Sequence, residues 1–307
     1  MIEINRILCP IDFSEYSDHA LRYAMKLASW YRARLHVLHV MPTMPPSSTS
    51  ELAAAGRRLV GRNLESALER WRTPDVDVTG ELLESADPAA RIIERADALD
   101  ADLIVTGSHG RKGLHRVMLG SVVEPLLHRA KRPMLILPAG LDLTRLEIPV
   151  SFAHIVCAVD FAAASLDALG FALSIAEESD ARLTLLNVID MPPELKVPQR
   201  PDGDLDVDRI RAEAEADRLT LLRALIPEHA RDYCSVETAV VEGGVSRQLL
   251  RTADETHADL IVIGVHGRNA LDLAVFGSNA KGVVTGAHCP VLIVPAGRRH
   301  SQWRAVS

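Results

Sequence analysis

The chain of 307 residues repeats itself. Residues 6–40 lie on residues 154–188 at an offset of 148, which pairs Ile7 with Ile155, Cys9 with Cys157, Asp12 with Asp160, Phe13 with Phe161, Ser17 with Ser165 and Val40 with Val188. Residues 101–140 lie on residues 258–297 at an offset of 157, which pairs Asp102 with Asp259, Gly107 with Gly264, His109 with His266, Gly110 with Gly267, Gly120 with Gly277 and Ser121 with Ser278. A period near 150 is too long for a solenoid repeat and has the length of one domain. The repeat therefore predicts a duplicated domain: one copy over 1–140, a linker over 141–150, a second copy over 151–298 and a tail over 299–307. The offsets differ by nine, so the second copy has the longer middle.

Each copy alternates strand and helix signals. In the first, the short apolar run Arg6–Ile11 reads as a buried strand, and Arg34–Met41, Val76–Leu83, Leu103–Gly107 and Met134–Leu137 read as four more strands. Helices are expected after Ser14 to about Tyr31, over Glu51–Arg72, over Asp87–Leu99 and around Val122–Ala130. The second copy keeps the order, with strands at Ile155–Val159, Leu183–Val188, Val236–Val241, Leu260–Gly264 and Val291–Val294. Strands alternating with helices imply βαβ units, right-handed crossovers and a parallel sheet covered on both faces. The expected fold is α/β, with two tandem doubly wound domains. Such sheets bind ligands at the carboxyl ends of their strands, where strand order reverses. That rule points to Asp12, to Val40 and to Gly107–Ser121.

Charge and composition exclude several classes. Residues 1–150 carry 19 basic and 19 acidic side chains, and residues 151–307 carry 15 and 22, so the second half holds the whole net charge of −7. Neither half is basic, which argues against a nucleic-acid binder driven by charge. A hydrophobic fraction of 48% supplies a real core and excludes disorder and collagen. No apolar run reaches the roughly 18 residues of a membrane span, and the first residues lack the pattern of a signal peptide. Cys9, Cys157, Cys234 and Cys289 form no C-x-x-C pair. The expectation is a cytoplasmic protein without zinc or membrane partners.

The loop after the fourth strand carries the functional signal. Gly107-Ser108-His109-Gly110 is followed by nine residues and then Gly120-Ser121; the second copy gives Gly264-Val265-His266-Gly267, nine residues and Gly277-Ser278. Glycines leave no Cβ between backbone and ligand, and successive amides in such turns form an anion-binding nest. A helix opening at Gly120-Ser121 would add free amides that favour phosphate. No G-x-x-x-x-G-K-[ST] sequence occurs, and no G-x-G-x-x-G follows the first strand, so neither a P-loop nor a dinucleotide site is expected.

The spacing G-x2-G-x9-G-[ST], with Pro10-Ile11-Asp12-Phe13-Ser14 at the first strand and Arg132-Pro133-Met134-Leu135-Ile136-Leu137-Pro138 at the close, resembles the nucleotide-binding signature of the universal stress protein family. The resemblance covers nearly the whole chain, twice. It implies a five-stranded parallel sheet of order 3-2-1-4-5 in each copy, and ATP, with or without Mg²⁺, between strands one and four. It places Asp12 and Asp160 near the sugar and adenine, and the backbones of Val40 and Val188 at the adenine edge. Gly107, Gly110, Gly120 and Ser121 would take ribose and phosphates, as would Gly264, Gly267, Gly277 and Ser278. It further implies a dimer fused into one chain, with the final strands paired across a pseudo-twofold axis; association of two tandem chains is left open. The family function would be that of a nucleotide-dependent stress regulator or interaction module with an unidentified protein partner. Four departures separate the copies from one another or from the pattern: Ala86 precedes Asp87-Pro88, Gly243-Gly244 replaces an Asp-Pro, Ala158 stands where the first copy has Pro10, and Asn279 follows Ser278 where Val122 follows Ser121.

Other residues read as structural. His109 and His266 are expected to be solvated or backbone-bonded, and Arg111, Lys112 and Arg268 to be ordinary loop charges. His36 and His39 lack further ligands at metal spacing. The run Asp202–Asp208 has its glycine misplaced for a calcium loop and no closing Glu. Adenylyl transfer would need an S-G-G-x-[DS]-S loop where Asp12–Ser17 stands, and phosphoryl transfer would need a base and charge clamp that the sequence does not offer. At most weak ATP hydrolysis is expected, and a ligand-free dimerisation scaffold remains the alternative.

Overall fold

The computed structural model describes residues 2–43, 49–110, 119–129, 131–141, 152–190, 207–265 and 277–297. Most of the expected linker, the tail, Gly267, His266, the three loop cations and all of the acidic run but its last two residues lie outside the described residues.

The first half contains β1 (Arg6–Pro10), α1 (Glu15–Tyr31), β2 (Arg34–Met41), α2 (Ser50–Trp71), β3 (Val78–Glu84), α3 (Pro88–Ala98), β4 (Leu103–Gly107), α4 (Val123–Arg129) and β5 (Met134–Leu137). The second contains β6 (His154–Ala158), α5 (Ala163–Ser179), β7 (Arg182–Ile189), α6 (Val207–Ala224), β8 (Ser235–Glu242), α7 (Val245–Glu255), β9 (Leu260–Val265), α8 (Ser278–Gly286) and β10 (Val291–Pro295). A 3₁₀ turn at Glu228–Asp232, between α6 and β8, belongs to the longer middle of the second half. Among the described residues no helix is long and apolar enough to cross a membrane.

Local chemistry sets the boundaries. The Ser14 hydroxyl accepts from the Ser17 amide and caps α1, and Arg32 ends that helix in the left-handed region. Asp87 caps α3, where Pro88 needs no amide partner. One carboxylate anchors the start of each first strand. Asp102 accepts from the amides of Asn5 and Arg6 at 2.8 and 2.9 Å. Its repeat partner Asp259 accepts from Ala153 at 2.8 Å and from His154 at 3.3 Å.

All strands form one ten-stranded sheet of order β3-β2-β1-β4-β5-β10-β9-β6-β7-β8. Each half is parallel with order 3-2-1-4-5, and the halves join where β5 and β10 pair antiparallel. The inner strands are buried on both faces because helices cover both, whereas the outermost strands, β3 and β8, are mostly half-buried or exposed. One core layer holds Leu21, Leu64, Leu173 and Leu222 from α1, α2, α5 and α6. The other holds Ile92, Leu126, Leu249 and Val283 from α3, α4, α7 and α8. The antiparallel junction turns the second half around, so the carboxyl ends of the two strand sets lie at opposite edges of the sheet.

An ionic cluster fastens α3 to β2 and β3. Glu81 on β3 sits 2.6 Å from His36 Nε2 and 2.6 Å from Arg95 Nε. Burial pushes its pKa up, but the hydrogen bonds and charges of His36 and Arg95 outweigh that and hold it below the ordinary carboxylate value. A lowered folded pKa stabilises the fold above the unfolded value and loses that contribution as pH falls through the folded one. Glu81→Gln is therefore expected to lower stability at neutral pH and to flatten its decline below about pH 4.3; chemical denaturation across pH 2–7 measures this.

Candidate functional site

In both halves strand order reverses between the first and fourth strands of the repeat, β1 with β4 and β6 with β9. A crevice at that place is where an open parallel sheet accepts a ligand. The first half brings Asp12, Gly110 and Gly120 together there. Asp12 follows β1, and Pro10 pairs with Leu38, so Asp12 stands level with Val40 on β2. Asp12 Oδ1 accepts from the Ser14 amide at 3.0 Å and from the Ser14 hydroxyl at 2.5 Å. The Asp12 amide donates to Ser17 Oγ at 3.2 Å.

Gly110 faces the other carboxylate oxygen. A Cβ on Gly110 would lie 2.5 Å from Asp12 Oδ2. The Gly120 amide donates to the Ser108 carbonyl at 2.9 Å, folding the two ends of the glycine loop together. A Cβ on Gly120 would touch Ser108 O, Gly110 N and His109 Cα at 3.4–3.5 Å. Asp12, Gly110 and Gly120 thus pack closely together, with the missing Cβ of each glycine facing protein atoms. Ser121 is exposed beside them. The Gly120 carbonyl accepts from the Glu124 amide at 3.1 Å, and Ser121 lies in the turn that leads into α4.

Gly107 has a different position. Its missing Cβ faces the Tyr16 carbonyl at 3.0 Å, so the end of β4 packs directly on the start of α1. Gly264 repeats this more tightly, with the Ala164 carbonyl oxygen at 2.2 Å and the Ser165 amide at 2.5 Å from a hypothetical Cβ. These two glycines have a packing reason to be glycine. Gly277 has open space, and Ser278 starts α8 exposed. Asp160 is exposed; its Oδ1 accepts from the Ala162 amide at 2.9 Å, and its amide donates to Ser165 Oγ at 3.2 Å. Val188 is half-buried and level with Asp160, as Val40 is with Asp12. The aspartate turn is looser in the second half because Ala162 replaces the Ser14 hydroxyl.

Three features escape sequence reasoning. Phe13 and Phe161 both have positive φ, 61° and 66°. A bulky residue in that region is strained, and such strain gathers at functional sites. The identical pair Phe13/Phe161 was visible, but φ is not encoded in residue type. Second, His39 is buried and bonds the Ile11 carbonyl through Nδ1 at 2.7 Å, beside the Phe13 ring. Asn187 takes the same place in the second half and donates to Val159 O at 2.6 Å, while its Oδ1 is buried without a partner. The two residue types differ, so the repeat hid their common role. Third, His109 is buried rather than solvated, with Nδ1 at 2.8 Å from Ser108 Oγ. Its packing against Tyr16 fixes the loop on α1.

The cysteines are buried, free thiols. Burial pushes Cys157 and Cys289 up to about 12 and Cys234 up to about 11, which keeps them protonated and unreactive at neutral pH.

Over residues 3–138 and again over residues 151–295 the chain matches the universal stress protein family. A universal stress protein of Mycobacterium tuberculosis is 27% identical over 300 residues, spanning 94% of this chain and 96% of its own. One of Methanocaldococcus jannaschii is 30% identical over 143 residues, which is 47% of this chain and 82% of its own. The crystal structure of a universal stress protein from Archaeoglobus fulgidus has a TM-score of 0.67 at 21% identity, covering 96% of this chain and 100% of that one, a likeness of fold. The chain belongs to the universal stress protein family and carries its domain twice in tandem.

Proposed function

We propose that this chain is an ATP-binding stress regulator, acting through a nucleotide-dependent interaction with a protein partner in the cytoplasm. Each half would hold ATP, with or without Mg²⁺, at the carboxyl edge of its strands. Asp12 and Asp160 would meet the sugar and adenine, and the backbones of Val40 and Val188 the adenine edge. Gly107, Gly110, Gly120 and Ser121, with Gly264, Gly267, Gly277 and Ser278, would meet ribose and phosphates. The observation that carries this reading is the close packing of Asp12, Gly110 and Gly120 at the switch point. Glycine at 110 and 120 lets the loop backbone close on Asp12 at the strand ends, where its amides would face a bound nucleotide. No pair of groups in the described part of the site offers a base and a charge clamp, so hydrolysis is expected to be slow or absent.

One observation favours a scaffold without ligand. Gly107 and Gly264 are accounted for by helix packing alone. Mass spectrometry of nucleotide released from the purified full chain separates the two. The regulator reading expects adenine nucleotide, lost when Gly120 and Gly277 are both replaced by leucine. A scaffold releases none and shows no affinity at millimolar ATP with Mg²⁺.

A further inference from the structure

We propose that the seam between the halves is built for unlike partners: each half fits the other half of the chain and rejects a copy of itself. The pseudo-twofold axis is located by the register. Leu135 pairs with Leu292, flanked by Ile136 with Val291 and Met134 with Ile293. The offset of 157 maps Leu135 onto Leu292, so this is the pair at which equivalent positions meet. At such an axis two identical halves would place each residue against its own copy or that of a neighbour.

Two places on the seam break that self-complementarity. Glu124 on α4 and Lys281 on α8 are equivalent positions, and they bond each other across the axis at 2.5 Å. Two first halves would set Glu124 against Glu124, and two second halves Lys281 against Lys281. On the α1 and α5 side, Trp30 packs against Phe152 with tilted rings whose centroids are 6.0 Å apart. The offset of 148 maps Trp30 onto Glu178 and Phe152 onto Ile4. Glu178 is instead held by the Ser174 hydroxyl at 3.0 Å, near the Ile2 amide and Tyr31. Two second halves would press the Glu178 carboxylate on Phe152, which is costly for a charge. The partly exposed Glu124–Lys281 pair adds little attraction by itself. Its weight lies in the difference between opposite charges in the right pairing and like charges in the wrong one.

Each single charge reversal makes in the intact chain the contact that like halves would make. Glu124→Lys gives two lysines at the axis and Lys281→Glu gives two glutamates. Amide hydrogen exchange in full-length protein at low salt reads the opening of Met134–Leu137 and Val291–Pro295. Either reversal is expected to speed exchange there roughly 3–10-fold, more than Glu124→Gln does, with β3 and β8 unchanged. The double reversal Glu124→Lys with Lys281→Glu is expected to return the seam to parental exchange, and added salt to shrink the single effects. The proposal is overturned if Glu124→Lys exchanges no faster than Glu124→Gln, or if the double reversal exchanges as fast as the singles.

Discussion

Replacing Gly110 with valine removes nucleotide binding from the first half and leaves the fold intact. The Cβ alone would stand 2.5 Å from Asp12 Oδ2, and the two methyls would add to that crowding. Asp12 can yield only by turning its carboxylate, which would break the bonds from the Ser14 amide and hydroxyl that hold α1's first turn. The variant therefore displaces the acid of the site. The strain is local, at a half-buried loop, and is expected to cost about 1–3 kcal/mol. Calorimetric titration should show the nucleotide stoichiometry fall by one site per chain, beside a cooperative melt. Gly61→Ala on α2 is the control: nothing lies within 4 Å of that Cβ, and binding should not change.

Gly264→Ala produces the largest loss of stability. Its Cβ would meet the carbonyl carbon and oxygen of Ala164 at 2.3 and 2.2 Å, and both are backbone. No side-chain rotation relieves such a contact, so the start of α5 must move off β9. The hydroxyl of Ser165, the next residue, receives the Asp160 amide, so the shift reaches the aspartate turn. The cost is expected to reach or exceed about 3 kcal/mol, the upper end for an overpacked core. Gly107→Ala, with the nearest backbone atom at 3.0 Å, should cost clearly less. Thermal or urea unfolding of the two variants side by side measures the contrast.

The repeat and the apolar runs made the architecture legible. Every expected strand is present within two residues of its expected bounds; the inner ones are legible because strands buried on both faces are continuous apolar runs, and β3 and β8 follow from their place in the alternating order. The antiparallel junction came only from the family resemblance, since pairing between edge strands leaves no pattern in either strand. At the site, Asp12, Gly110 and Gly120 meet at the strand ends to which the switch-point rule pointed. Gly107 and Gly264 illustrate the limit. In sequence they belong to the loop, but their missing Cβ atoms face helix starts that only tertiary packing brings near. Phe13 and Phe161 show the same limit for backbone conformation, and His39 with Asn187 for roles shared by unlike residues.

The most direct measurement is a titration of the purified, nucleotide-stripped chain with ATP and Mg²⁺. Saturable binding approaching two nucleotides per chain, reduced by one in Gly110→Val, is the predicted result. A folded chain that takes up no nucleotide at millimolar ATP would contradict it.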